Sequence, residues 1–196
     1  SLNIKSLKTD RYEEDYLGHC FESCYCDGFC LIGGVECTCY DDINGMSVMR
    51  KIDLIIIHCS ATRADSDFSA QDVDTAHRYR GFSSWGYHYY IRKSGQVELM
   101  RSEDVPGAHA RGYNANSLGV CYEGGLDVNG RPADTRTLRQ KEAMHRLVAN
   151  LLQSYPEARV VGHRDLSPDK NYNGIVDPWE RMKECPCFEV KAEAWE

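Results

Sequence analysis

The spacing of apolar positions changes at a few points along this chain, and those points mark out the elements. Leu54-Ile55-Ile56-Ile57 is an unbroken aliphatic run, the pattern of a strand covered on both faces, which needs no polar alternation. His58 stands where the run stops, and Cys59-Ser60-Ala61-Thr62 reads on as a loop of small residues. Ser69 then caps a segment in which Val73, Ala76, His77 and Arg80 recur at helical spacing before Gly81. Residues 86–92 are aromatic and β-branched, and Lys93-Ser94-Gly95-Gln96 turns them into residues 97–100, a predicted hairpin. Residues 107–116 form a loop rich in Gly, His and Asn. Residues 117–123 read as another strand, ended by Gly124-Gly125.

Residues 135–155 give the clearest helix. Leu138, Met144, Leu147, Val148, Leu151, Leu152 and Tyr155 make one apolar stripe, with Arg139, Lys141, Glu142 and Arg146 mostly off it, and Pro156 follows the end. Residues 159–162 form a short strand that again runs into a histidine, His163. Strands interleaved with helices predict one α/β domain over residues 49–196.

Residues 1–48 carry no such periodicity. Six of the ten cysteines lie there, at Cys20, Cys24, Cys26, Cys30, Cys37 and Cys39; the others are Cys59, Cys121, Cys185 and Cys187. The early spacing lacks paired C-x2-C knuckles, which disfavours a standard zinc knot. Six cysteines also allow about 15 disulfide connectivities. An appended Cys-rich arm of uncertain role is expected, with Met46 and Met49 at its junction; a metal or disulfide knot is the alternative.

Composition narrows the class of protein. Hydrophobic content of 42% and charged content of 27% fit an ordinary globular domain, here expected to be monomeric. A formal charge of −7 argues against binding nucleic acid. No apolar run reaches the roughly 20 residues of a membrane helix. No secretory leader is visible after Ser1, so the expectation is a protein that is cytoplasmic until released.

The chemistry-bearing residues sit at strand ends. His58 alone reads as a histidine closing a core strand. Together with His163 and Cys185 it becomes a candidate ligand set, because imidazoles and a thiolate suit zinc and catalytic zinc sites use three protein ligands. Cys59 and Cys121 read as small buried residues, Cys187 as pointing away from the ligand side, and His77, His88 and His145 as outside the chemistry.

Six motifs in order carry a resemblance: Ile57-His58-Cys59-Ser60-Ala61-Thr62, Gly86-Tyr87-His88-Tyr89, His109-Ala110-Arg111-Gly112-Tyr113-Asn114, Asn116-Ser117-Leu118-Gly119-Val120-Cys121, Gly162-His163-Arg164-Asp165 and Lys183-Glu184-Cys185-Pro186-Cys187-Phe188. Together they resemble the zinc N-acetylmuramoyl-L-alanine amidases, the group containing phage amidase lysozymes and peptidoglycan recognition proteins. The resemblance implies a central mixed β-sheet covered by helices. It implies zinc at His58, His163 and Cys185, catalytic roles for Tyr87 and Lys183, and substrate contacts at His109 and Asn114. The expected reaction is hydrolysis of the amide joining muramic acid to L-alanine in peptidoglycan, in cell-wall lysis. Glu123 is a second candidate for the proton shuttle after Tyr87. The alternative is a protein of the same fold that binds muropeptide without cutting it.

One segment stands apart from these motifs. Asp169, Asn171, Asn173, Asp177 and Glu180, with Gly174 among them, fit the calcium-loop pattern D-x-[DN]-x-[DN]-G-x5-E. Calcium there would stiffen the segment that delivers Lys183 and Cys185. The plainer reading is a polar insertion loop.

Overall fold

The computed structural model describes residues 31–32, 35–36 and 50–195. The chain divides into two units, Ser1–Gly45 and Met46–Glu196. In the first, strands β1 (Leu31–Ile32) and β2 (Val35–Glu36) pair antiparallel, a pairing that the sequence periodicity did not reveal. The six early cysteines, Met46 and Met49 lie outside the described residues.

The second unit is built on a five-stranded mixed sheet. Its strands are β3 (Leu54–Cys59), β5 (Tyr89–Ile91), β6 (Val97–Leu99), β7 (Ser117–Tyr122) and β9 (Arg159–Gly162), in the order β6-β5-β7-β3-β9. β5, β7, β3 and β9 run parallel, and β6 joins the edge antiparallel through its hairpin with β5. β3 lies inside this sheet and is buried at all six positions. An aliphatic run without polar alternation therefore fits its place, since both faces are covered.

Alternation sorts the strand residues between two layers. Ile55, Ile57, Leu118, Val120, Tyr122 and Ile91 face helix α2 (Leu138–Ser154), where Ala143, Met144, Val148 and Leu151 complete the larger core. On the opposite face, Tyr90 and Cys121 meet Ala70 and Val73 of helix α1 (Ala70–Tyr79), while Leu54 and Ile56 meet Ala110 of the 107–116 loop. Both helices open with a capping box, Ser69 with Asp72 and Thr137 with Gln140.

The predicted stripe of α2 needs one correction. Leu138 is 78% exposed, whereas Gln140 is fully buried. Position 138 is the first residue of the helix and faces solvent. Gln140 is drawn in because its Nε2 donates to the carbonyls of Ile91 and Glu123 at 3.1 and 2.9 Å, supplying backbone acceptors at two strand ends. The loop expected after β3 is also more ordered than its composition implies. Thr62 and Gly125 start a two-residue parallel pair, β4 (Thr62–Arg63) with β8 (Gly125–Leu126). Ala61 makes the intervening bend at φ 55°. Among the described residues no helix is long and apolar enough to cross a membrane.

Candidate active site

Parallel pairing brings the first two site residues together. Ile57 lies opposite Gly162 in the β3–β9 register, so His58 and His163 come next on adjacent strands, at their carboxyl ends. Carboxyl ends of parallel strands are where open α/β sheets present ligand sites. His58 shares the face of Leu54 and Ile56, away from α2, and its ring centroid is 4.5 Å from that of His163.

Cys185 arrives from the far end of the chain. The Arg164 amide donates to its carbonyl at 2.7 Å, and the Tyr122 hydroxyl donates to the Pro186 carbonyl at 2.7 Å. Gly162 lets this segment close in, because a Cβ there would lie 2.8 Å from Pro186 Cδ. Cys185 Sγ then sits 3.8 Å from His58 Nδ1 and accepts the Cys59 amide at 3.3 Å. Donor atoms of His58, His163 and Cys185 all lie within 4.8 Å of one another, a cluster able to hold a metal among the described residues.

Donor type and spacing can be tested against zinc. With Zn–S near 2.3 Å and Zn–N near 2.0 Å, a tetrahedral centre separates sulfur from nitrogen by about 3.6 Å. The observed 3.8 Å between Sγ and Nδ1 fits without rearrangement. Burial pushes the His58 pKa well below its ordinary value, helped by His109, His163 and Lys183, and burial with Lys183 lowers His163 to about 4. Both rings are therefore neutral near pH 7, the form in which imidazole binds metal.

Above this cluster lies a cleft of about 370 Å³ lined by His109, Arg111, Asn114, His163, Ser167 and Lys183 among polar residues, and by Phe82, Leu166 and Met182 among apolar ones. Two lysine or arginine cations and no carboxylate face it, which favours a ligand carrying carboxylates. Tyr87 packs on His58 at a centroid distance of 5.0 Å, and burial pushes its hydroxyl well above the ordinary value, with the Cys121, Cys185 and Cys59 thiols adding to the shift. The hydroxyl therefore keeps its proton at neutral pH.

Other residues singled out in the sequence sit elsewhere or are engaged. His109 lines the cleft but also places Nδ1 3.0 Å from His58 Nε2. Asn114 Oδ1 accepts the His109 and Ala110 amides at 3.0 and 2.9 Å, closing its own loop. Glu123 is fully buried away from the cleft, where it accepts the Phe68 and Lys93 amides and pairs with Arg92 at 3.0 Å. That removes it as a proton shuttle. Cys187 Sγ faces Cys59 Sγ at 3.8 Å rather than the cluster.

The acidic loop is bonded to itself. Glu180, 1% exposed, accepts the amides of Lys170, Asn171 and Asp177. Asp169 accepts the Gly174 amide at 2.7 Å, and the side-chain amides of Asn171 and Asn173 both donate to Asp177. Nothing here gathers free oxygens on one point, so the calcium reading gains no support from the geometry.

Sequence reasoning missed His77, which has no motif around it. From α1 its Nδ1 accepts the Gly86 amide at 3.0 Å, and its ring lies 5.2 Å from Tyr87. It holds the segment that leads through the tyrosine into β5. His77 and His88 are both buried, and burial lowers each to about 4. The unfolded chain takes up these protons near pH 6.5, the folded chain only near 4. Their stabilisation is thus complete above about pH 6.5 and is lost as pH falls toward 4, by about 2 kcal/mol per histidine at pH 5. Urea midpoints of the metal-free protein should fall clearly between pH 7 and pH 5. Equal midpoints would mean that these histidines are not buried in the neutral form.

Comparison with known proteins follows the same outline. Residues 48–187 match a family model described as N-acetylmuramoyl-L-alanine amidase. The endolysin of Enterobacteria phage K11 is 35% identical over 142 residues, covering 72% of this chain and 85% of that protein. The peptidoglycan-recognition protein SD of Drosophila simulans is 30% identical over 109 residues, covering 53% of this chain and 56% of that protein. Among solved structures, the N-acetylmuramoyl-L-alanine amidase LysC from Clostridium intestinale URNW superimposes with a TM-score of 0.55 at 27% identity, over 74% of this chain and 82% of that one.

Proposed function

The chain belongs to the N-acetylmuramoyl-L-alanine amidase family, and from that premise we propose that it hydrolyses the amide between N-acetylmuramic acid and L-alanine in peptidoglycan with a zinc ion held by His58, His163 and Cys185. The observation that carries this reading is the convergence of two neutral imidazoles and one thiol, with one of them, His163, lining a cleft that Lys183 also lines. When bound there, zinc supplies Lewis acidity and makes water a nucleophile near pH 7.

The remaining work falls to the protein. Attack on the amide carbonyl places negative charge on its oxygen, which needs donors already aimed at it. Lys183, at the cleft, supplies an ammonium, and Tyr87, against His58, supplies a hydroxyl that stays protonated. The same hydroxyl is the first choice to relay a proton to the departing amine of L-alanine, taking up in turn the proton released by the attacking water. Arg111, exposed in the cleft, is suited to the carboxylates of the stem peptide.

Product analysis on purified peptidoglycan tests the reading. New L-alanine amino termini without new reducing sugar ends are expected, abolished by a chelator and restored by zinc. Reducing ends, or hydrolysis indifferent to the chelator, would reject it. The Drosophila relative keeps a second reading in view, a protein that binds muropeptide without cutting it. Retained binding with no released amino termini under saturating zinc would select that reading.

A further inference from the structure

The zinc reading leaves open what orients His58, a fully buried ring with one nitrogen toward Cys185 and the other toward His109. A chain of hydrogen bonds behind it answers this. Ser117 Oγ donates its single proton to the Tyr113 carbonyl at 2.7 Å. Toward His109 Nε2, 3.4 Å away, the same oxygen can therefore only accept. A neutral imidazole carries one proton, so that proton lies on His109 Nε2 and leaves Nδ1 bare. The bare Nδ1 accepts from His58 Nε2 at 3.0 Å, which places the one proton of His58 on Nε2 and frees the lone pair of Nδ1 on the Cys185 side.

The ring of His109 is clamped as well as bonded. A Cβ on Gly119 of β7 would lie 2.6 Å from its Cγ, and one on Gly107 would lie 2.5 Å from its Cδ2. Only glycine at both positions lets the imidazole lie flat against the sheet with Nδ1 aimed at His58. With both nitrogens engaged, the ring has no polar atom left for substrate.

We infer that His109 is a positioning residue that holds His58 in the Nε2-protonated tautomer for metal binding, with Ser117 setting the direction of the proton chain. The inference rests on the zinc reading of the cluster. Partners of this kind, behind a ligand histidine, typically carry about 10- to 100-fold in metal affinity.

The test is zinc titration of the metal-free full chain against a chromophoric chelator, with melting temperature of the metal-free protein recorded alongside. Wild type is measured first; absence of zinc binding there would overturn the zinc reading itself, and this inference with it. His109→Ala should weaken zinc about 10- to 100-fold. His109→Asn should recover most of that loss, because Oδ1 is bonded to Cγ as Nδ1 is and offers an acceptor at the same place. Ser117→Ala should weaken zinc by a smaller factor, since only the direction of the proton chain is relaxed. Unchanged zinc affinity in His109→Ala with a raised KM would make His109 a substrate contact and overturn the inference. Equal loss in His109→Asn and His109→Ala would assign the effect to ring packing and overturn it too.

Discussion

Cys185→Ala is expected to lose stoichiometric zinc and to slow peptidoglycan hydrolysis by at least about 10³-fold, because the nucleophile depends on a metal that lowers the pKa of water from 15.7 to near 7. Two imidazoles would remain, but zinc sites that work in catalysis hold three protein ligands. The thiolate is also the charged member of the set, and the Cys59 amide already donates to it at 3.3 Å. Cys187→Ala is the matched control. Its sulfur lies two residues away in sequence yet faces Cys59 Sγ at 3.8 Å on the α2 side of the sheet. Zinc content and rate should survive that change. Full zinc occupancy in Cys185→Ala, or zinc loss confined to Cys187→Ala, would move the site.

Lys183→Met and Tyr87→Phe should each reduce kcat by about 10²- to 10³-fold with zinc content unchanged. In the proposed mechanism each removes one donor to charge that develops only in the transition state, so the loss belongs in kcat rather than KM. Methionine keeps the length and apolar character of the lysine stem, and phenylalanine keeps the ring that packs on His58. A variant that lost zinc in step with activity would show instead that the residue supports the metal cluster. An unchanged kcat would remove that residue from the mechanism.

The arrangement of these residues also explains why so short a sheet suffices. β3 contributes rigidity through Ile55, Ile56 and Ile57, all fully buried, and the histidine that follows inherits that rigidity. β9 delivers its own histidine by register alone. Only the third donor depends on an irregular segment, and three contacts anchor it: Arg164 to the Cys185 carbonyl, Tyr122 to the Pro186 carbonyl, and Cys59 to the sulfur.

Much of this was legible before folding was considered. The aliphatic run of β3, the capped helix from Ser69, the hairpin around Gly95 and the amphipathic 135–155 segment are local patterns, and each forms within a few residues of its expected bounds. The candidate ligand types were legible for the same reason, since imidazole and thiol chemistry is a property of the residue. What local pattern could not decide was which side-chain atoms meet once the elements are packed together. Leu138 fits the apolar stripe but is exposed, while Gln140 is pulled inside by carbonyls contributed from residues 91 and 123. Glu123 follows the end of β7 and is buried against Arg92, away from the cleft. The acidic loop matches a calcium pattern letter by letter, but its oxygens are taken up by its own amides. His109 reads as a groove residue, and only the structure shows that its ring also meets His58 at 3.0 Å and Ser117 at 3.4 Å. A sequence determines which groups can bond and which elements form. Register, crossover and close backbone approach decide which bonds are made, because each of those depends on distances set by distant parts of the chain.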